Sequence, residues 1–364
     1  MRKIRISLLM VTLILIAIGI VMIYSSTAIY GWEKFKDSAY FLKRHLIFVF
    51  TGAVFAVLVM AIDYRVLAKY AKLVVLFSIF LLVLLHFPGI SREISGAKRW
   101  FRLFGFSFQP SEFANLSVII YTAAFLSRKG VSRMERFSIG FLPAILVLGI
   151  VCLLILIQPD LGTVVALSLV VFIMLFVSGA KIRYLLYIGI AAMPFLYLLI
   201  FSVPYRRQRI MAFLNPWADP LGSGFQLIQS QVALGSGGLL GKGLGKSIQK
   251  LSYLPAGHTD FIFSIIGEEL GLLATLVVVG LFVIFFMYGC RIVKYAQDSF
   301  GAFLSLGIVC LIAIKAVINI GVSVGVFPTK GLPLPFISYG GSSLIFDMIG
   351  VGLLLNVARF GENP

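Results

Sequence analysis

Charged residues are scarce in this chain. Only 12% of its 364 residues are Asp, Glu, Lys or Arg, and 60% are hydrophobic. A soluble domain carries about a quarter charged residues, so this composition excludes a water-soluble globular enzyme, as well as disordered and collagen-like chains. Long continuous apolar runs replace the missing charge, and they predict helices that cross a membrane rather than a barrel of alternating strands.

Cysteine and acidic residues are also few. Cys152, Cys290 and Cys310 have no paired spacing, so they predict neither a disulfide nor a metal centre. The chain has 14 acidic against 31 basic residues, a net charge of +17. In a membrane protein such an excess is typical of cationic loops that fix the topology and contact anionic membrane lipid, so no nucleic-acid partner is predicted.

The apolar runs predict an all-α, polytopic membrane protein with about ten transmembrane helices in a single domain, residues 1–364. The basic first residues and the long run behind them indicate an uncleaved first span rather than a signal peptide. The predicted spans are 7–29, 44–62, 69–87, 112–127, 139–157, 160–179, 184–203, 263–288, 302–326 and 339–358.

Basic residues in the short loops predict cytoplasmic N- and C-termini, because positive charge accumulates on the inner side of a membrane. The outer loops contain as many basic residues as the inner loops and tails, but these outer residues are spread over a much longer part of the sequence. They cluster in the loops 88–111, 204–262 and 327–338. This outer excess favours either a cationic site for an anionic ligand or a face that touches acidic phospholipid.

The long outer loop, about 204–262, has enough apolar residues to exclude a disordered linker. Residues 225–234 predict a short amphipathic helix in it. The glycine-rich run 235–247 is not an ATP-binding phosphate loop, because no strand precedes it and Leu240 occupies a position that requires glycine. It predicts either a tight turn that needs glycine or a backbone nest for another phosphate.

Three acidic residues lie near predicted helix starts. Asp260 precedes the eighth span, where it is either an N-terminal capping or first-turn carboxylate or a general base in a cationic vestibule. Glu112 and Asp160 follow Gln-Pro pairs, and capping of a helix start explains both of them.

Further polar residues fall inside the predicted spans. Ionisable groups in a membrane are costly and need a partner or a cavity, which applies to Glu268 and Glu269. Lys315 and Asn319 share one face of the ninth span. We predict that Lys315 pairs with Asp347 or with a glutamate.

Several motifs together carry a resemblance to a known family. They are Arg99-Trp100, Gln109-Pro-Ser-Glu112, Gln158-Pro-Asp-Leu-Gly-Thr163, Asn215-Pro-Trp-Ala-Asp-Pro220, His258-Thr-Asp-Phe-Ile-Phe263, Gly267-Glu-Glu-Leu-Gly271 and the stretch 328–343. With these motifs the chain resembles, over nearly its whole length, the SEDS family of bacterial wall polymerases, FtsW, RodA and SpoVE. The division branch, FtsW, is the most similar.

The resemblance implies a SEDS-type fold and a peptidoglycan glycosyltransferase that polymerises lipid II at the outer face of the cytoplasmic membrane, during septal wall synthesis. It also implies a class B penicillin-binding transpeptidase and other division proteins as partners, and Asp260 as the essential aspartate. Two positions depart from the family pattern. Asn115 stands where a lysine is usual, and Ala256-Gly257 where Glu-Ala is usual, so any substrate contact of those residues is absent or displaced here.

The resulting hypothesis is inverting glycosyl transfer with Asp260 as the general base. The residues predicted to bind the lipid-linked diphosphate substrate are Arg99, Arg206, Arg207, Arg209, Lys330, Ser338 and Ser342. A divalent cation, Mg²⁺ or Mn²⁺, would suit this chemistry, but no ligand cluster in the sequence identifies one. The competing hypotheses are a lipid II flippase, an elongation polymerase like RodA and a catalytically silent scaffold. The gathering of polar motifs at one face favours chemistry over transport.

Overall fold

The computed structural model describes residues 1–87, 91–94, 97–103, 106–129, 137–250, 254–329 and 331–361. The helices are α1 Arg2–Phe35, α2 Tyr40–Ala61, α3 Arg65–Leu84, α4 Pro110–Lys129, α5 Leu142–Ile157, α6 Leu161–Val177, α7 Ile182–Phe201, α8 Pro204–Leu214, α9 Phe225–Ser236, α10 Ile262–Lys294, α11 Ser299–Val324 and α12 Gly341–Phe360. A π-helical turn, Phe137–Phe141, leads into α5, and a 3-10 turn, Pro216–Ala218, lies between α8 and α9.

The helices agree with the sequence prediction of an all-α membrane protein. Each predicted span coincides with one of α1–α7 or α10–α12. Within the described ranges, eight helices are long and apolar enough to cross a membrane. The other two predicted spans are α6, which has only 17 residues, and α4, which is less apolar because it carries polar residues on its buried face.

One apolar core joins most of these helices. Among the described residues of α7 no side chain is buried, and Tyr184, Leu185 and Ile188 are partly buried where they pack against this core. An apolar helix without buried side chains is stable only where lipid or another apolar surface covers it. We therefore place α7 at the periphery of the bundle.

A small antiparallel sheet lies between α3 and α4, where the sequence analysis predicted no strand. Its order is β1 (Ser91–Ile94), β2 (Ala97–Leu103) and β3 (Phe106–Phe108). Arg92 pairs with Trp100 in the first ladder, and Phe101 pairs with Phe108 in the second. We call the end of the bundle that carries this sheet, α8 and α9 the loop face.

Helix α10 is interrupted near the loop face. Gly271 has φ 78° and ψ −175°, values outside the helical region, which separate a short first part of α10 from a long second part. The glycine-rich segment 237–250 fills the gap. The Lys242 amide donates to the Glu268 carbonyl at 3.0 Å, and the Leu272 amide donates to the Gly238 carbonyl at 2.9 Å. The backbone groups freed by the break are thus satisfied by this segment, as burial requires.

Candidate functional site

Asp260 lies in a turn directly before α10, but it does not cap the helix. The capping residue is Phe261, and the first turn of α10 carries no acidic residue. The Asp260 amide donates to the Ala256 carbonyl at 3.0 Å, which closes the turn. The capping and first-turn explanations offered from the sequence are therefore wrong, because the chain extends one residue further before it becomes helical.

The surroundings of the Asp260 carboxyl change its acidity. Burial raises its pKa to about 6, Arg209 and Arg99 act to lower it, and Asp160 acts to raise it. Gly331 packs against the carboxyl so closely that a Cβ atom there would lie 3.2 Å from Asp260 Oδ2. A half-buried carboxylate with a raised pKa is a stronger base than an exposed aspartate and is still ionised at neutral pH, the form that the two arginines favour.

Arg99 joins the sheet to the start of α6. Its Nε donates to the Gln158 carbonyl at 2.7 Å and its Nη2 to the Pro159 carbonyl at 2.6 Å. Asp160 follows and caps α6 as predicted, with Oδ1 accepting from the Thr163 amide at 3.2 Å. A guanidinium has five N–H donors, so Arg99 keeps donors for an anionic ligand.

The three arginines of α8 point to different partners. Arg209 Nη1 donates to the Thr329 carbonyl at 3.0 Å, and its guanidinium stacks on the Tyr205 ring with 4.5 Å to the centroid. Arg206 Nη1 turns back to the Leu199 carbonyl at 3.0 Å, and Arg207 is exposed. Of these three, Arg209 is the one whose charge acts on the Asp260 carboxyl. Lys330 lies outside the described residues.

Ser338 and Ser342, predicted to bind substrate, are both buried and hydrogen-bonded inside the protein. Ser338 Oγ donates to the Thr259 carbonyl at 2.5 Å and accepts from the Leu334 amide at 2.8 Å. Ser342 Oγ donates to the Ser107 carbonyl at 3.1 Å and accepts from the Gln109 amide at 2.9 Å. Both serines hold the segment 331–343 against neighbouring parts of the loop face.

Asn319 on α11 reaches the same turn. Its Nδ2 donates to the Asp260 carbonyl at 2.9 Å and to the Leu332 carbonyl at 2.7 Å. The side chain is 1% exposed. The helix α11, the segment 331–343 and the Asp260 turn therefore meet at one buried amide.

The buried charges inside the bundle are paired. Lys315 Nζ lies 2.7 Å from Glu112 Oε2 and 3.0 Å from Asp347 Oδ1, which confirms the predicted pairing with an acid and extends it to two. Asn115 Nδ2 lies 3.5 Å from Glu112 Oε2. The positive charge next to Glu112 therefore comes from Lys315 on α11. Asn115, at the position of α4 where a lysine is usual in the family, is neutral.

Glu268 and Glu269 are buried against the glycine-rich segment. Lys242 Nζ lies 2.9 Å from Glu268 Oε1, and Lys250 Nζ lies 2.9 Å from Glu269 Oε1. The Ile248 amide donates to Glu268 Oε1 at 3.2 Å. This segment is a glycine-dependent turn, and the anions that its amides and lysines bind are carboxylates of the protein itself.

The sequence analysis missed an aromatic cluster beside Asp260. The His258 ring lies 6.2 Å from the Tyr30 ring, 5.7 Å from Phe41 and 6.0 Å from Tyr339, measured between centroids. Burial lowers the pKa of His258 to about 4, so the imidazole is neutral at pH 7. The His-x-Asp spacing in the sequence was the available signal for its proximity to Asp260.

An apolar cavity of about 720 Å³ opens next to the segment 331–343. It lies between α2, α3, α4 and α12, with Phe48, Phe77 and Phe346 among its walls. Its polar end is formed by Ser107 and Ser342, the pair that also fixes Gln109. The cavity can take a long hydrocarbon chain and lead it towards the polar residues of the loop face.

The described residues do not form a metal centre. No group of three or more His, Cys, Asp or Glu side chains in the described ranges is arranged to hold an ion. The donors around Asp260 include two guanidinium groups, which favour an anion over a cation. The arrangement therefore suits binding of a diphosphate by arginine.

Comparisons with known proteins identify the family of this chain. The family described as "Cell cycle protein", FtsW/RodA/SpoVE, matches residues 5–363. A protein of Trichlorobacter lovleyi named "Probable peptidoglycan glycosyltransferase FtsW" is 48% identical over 96% of this chain and 92% of its own length. "Stage V sporulation protein E" of Bacillus subtilis is 44% identical over 98% of this chain and 97% of its own length.

Solved structures give the same result. A structure described as "Structural coordination of polymerization and crosslinking by a peptidoglycan synthase complex" matches with a TM-score of 0.78 and 30% identity, over 98% of both chains. The "Rod shape determining protein RodA" of Thermus thermophilus matches with a TM-score of 0.73 and 27% identity, over 98% of this chain and 97% of that one. The chain belongs to the FtsW, RodA and SpoVE family of cell cycle proteins.

Proposed function

We propose that this chain is a peptidoglycan glycosyltransferase that polymerises lipid II into glycan strands for septal wall synthesis. The observation that carries the proposal is the Asp260 carboxyl in a closed turn at the loop face, packed against Gly331, where the charges of Arg209 and Arg99 favour its ionised form and that of Asp160 opposes it. A base, a cationic site for a diphosphate and an apolar cavity for a lipid tail are the three requirements of lipid-linked glycosyl transfer.

Asp260 acts as the general base of an inverting transfer. It takes the proton of the acceptor sugar 4-hydroxyl while the hydroxyl oxygen forms a bond to the anomeric carbon of the donor. The bond between that carbon and the diphosphate oxygen breaks, and the lipid diphosphate leaves with the electron pair. The pKa of about 6 suits this role, because a base is most effective when its pKa lies near the operating pH.

Arg99 and Arg209 stabilise the charge that develops on the departing diphosphate. Their guanidinium groups present several donors in a fixed plane, which matches phosphate oxygens. Lys330, Arg206 and Arg207 are further proposed phosphate contacts, carried over from the sequence alone. The cavity walled by α2, α3 and α12 takes the polyprenyl tail of one substrate.

The proposal includes an orientation and a partner. The loop face lies outside the cytoplasmic membrane, both termini lie in the cytoplasm, and the protein works at the division septum. A class B penicillin-binding transpeptidase cross-links the strands that this chain makes. The excess of basic residues in the short loops of the opposite face supports the orientation, and the structural similarity to a peptidoglycan synthase complex supports the partner.

The test is polymerisation of purified lipid II by the purified complex with its transpeptidase. We expect Asp260→Asn to lower the rate by at least about 1000-fold, since loss of a general base costs up to roughly 10⁴-fold. Asp219→Asn is the matched control, because Asp219 is an exposed acid of the same long loop, and its carboxylate accepts from the amide and the hydroxyl of Ser223.

Four outcomes separate the hypotheses. Loss of polymerisation only in the Asp260 variant supports the proposed base. Full polymerisation by folded Asp260→Asn would overturn it. Movement of lipid II across vesicles without any polymer, by the unmodified complex, would favour a flippase, and neither activity would favour a scaffold.

A further inference from the structure

Three successive carbonyl groups lead into the Asp260 turn, and each accepts a hydrogen bond from a different donor. The Tyr339 amide donates to the His258 carbonyl at 3.0 Å. Ser338 Oγ donates to the Thr259 carbonyl at 2.5 Å, and Asn319 Nδ2 donates to the Asp260 carbonyl at 2.9 Å. The three carbonyls before α10, including that of the proposed base, are thus all hydrogen-bonded.

These bonds are needed because the turn precedes the helix. The intrahelical pattern begins at Phe261, whose carbonyl accepts from the Ser264 amide at 3.0 Å. The three carbonyls before it therefore lack the partners that a helix would give them. A buried carbonyl without a partner costs free energy, so the three donors favour this one conformation of the turn.

Two of the three donors are side chains, and each of them makes a second hydrogen bond to another backbone group. Asn319 also donates to the Leu332 carbonyl at 2.7 Å, and Ser338 also accepts from the Leu334 amide at 2.8 Å. Both side chains are nearly fully buried, at 1% and 3% exposure. Their hydrogen bonds join α11 and the segment 331–343 to the turn.

We propose that Asn319 and Ser338 are positioning residues that hold the Asp260 carboxylate in its reactive direction. This role differs from the substrate contact that the sequence suggested for Ser338, and it rests on the proposed function of Asp260. Displacement of a catalytic group by about 1 Å lowers a rate by roughly 100-fold, so loss of either donor should act on turnover rather than on substrate binding.

The experiment uses the purified complex and measures kcat and KM for lipid II separately. We expect Asn319→Ala and Ser338→Ala each to lower kcat by about 10- to 100-fold with KM changed less than about threefold. Ser338→Thr keeps the hydroxyl and should recover most of the lost kcat. Thermal unfolding of each variant establishes that it is folded.

Asn356 supplies a matched control. Its Nδ2 also donates to two backbone carbonyls, those of Val59 and Ile62, but it lies on α12 away from the loop face. Asn356→Ala removes a similar pair of hydrogen bonds to backbone carbonyls and should leave kcat unchanged. A kcat loss as large in Asn356→Ala as in Asn319→Ala would show a general effect of destabilisation and overturn the proposal.

Two other results would also overturn it. Unchanged kcat in the folded Asn319 and Ser338 variants would show that these hydrogen bonds are not needed to position the Asp260 carboxylate. A raised KM with unchanged kcat would show that these side chains bind substrate instead. Failure of the proposed function is distinguishable, because it appears as activity in Asp260→Asn whatever the other variants do.

Discussion

At the scale of single residues, the environment of Asp260 predicts how the reaction depends on pH. A general base works in its ionised form, so the rate should rise with pH through about 6, the raised pKa, and level off above it. Arg209 acts to lower this pKa, Asp160 to raise it and Arg99 to lower it. Arg209→Gln should therefore move the midpoint of the pH profile upwards by roughly one unit.

The measurement is the initial rate of lipid II polymerisation between pH 5 and pH 8.5, at saturating substrate. Lys246→Gln is the control, since it removes an exposed positive charge from the same long loop. An unshifted midpoint in Arg209→Gln would mean that the titrating group is not Asp260.

The same carboxyl makes a second prediction, about stability. Because the pKa of Asp260 is raised from 3.8 in the unfolded chain to about 6, the ionised form is disfavoured in the folded protein. Its contribution to stability is full below pH 3.8 and is lost as pH rises through 6. Asp260→Asn should accordingly raise the unfolding temperature at pH 7, by an amount equivalent to about 1–3 kcal/mol, and have no such effect at pH 4.

At the scale of elements, the insertion of the glycine-rich segment into the break of α10 depends on a close approach at Gly241. Gly241 has φ 78°, and a Cβ atom there would lie 2.2 Å from the Glu269 carbonyl oxygen. Gly241→Ala should destabilise the protein by about 2–4 kcal/mol, from left-handed backbone strain together with the clash. Thermal unfolding in detergent measures the effect. Gly280→Ala is the control within α10, because a Cβ there meets no atom within 4 Å.

The elements were predictable to different degrees. The spans follow from composition, because a membrane fixes the length and hydrophobicity of each helix. The sheet β1–β3 was missed, because its short strands give no long alternating pattern and form by pairing with each other. The choice of Arg209 over Arg206, three residues earlier on α8, was also beyond the sequence. It depends on how the whole loop 204–262 folds against Thr329.

At the scale of the whole molecule, the basic loops and the buried charges have different roles. The basic loops are the proposed source of cationic groups for an anionic substrate, while the interior holds its charges in pairs. Asn115 shows how the interior keeps this balance. The neutral amide on α4 is acceptable because Lys315 on α11 supplies the positive charge next to Glu112. From sequence alone the departure at 115 could not be interpreted, since its compensation lies on a distant helix.

The ion cluster of Lys315, Glu112 and Asp347 joins α4, α11 and α12, so it should determine whether the bundle assembles. Lys315→Met leaves two carboxylates buried without their cation, and removal of one partner from a buried pair costs about 3–5 kcal/mol. We expect a lower unfolding temperature and poor recovery of Lys315→Met from membranes. The triple variant Lys315→Met, Glu112→Gln, Asp347→Asn removes all three charges and should recover most of the stability, since an apolar or neutral replacement of a buried cluster is often tolerated. Failure of the triple variant to recover stability above the single variant would mean that the cluster is required for more than the balance of buried charge.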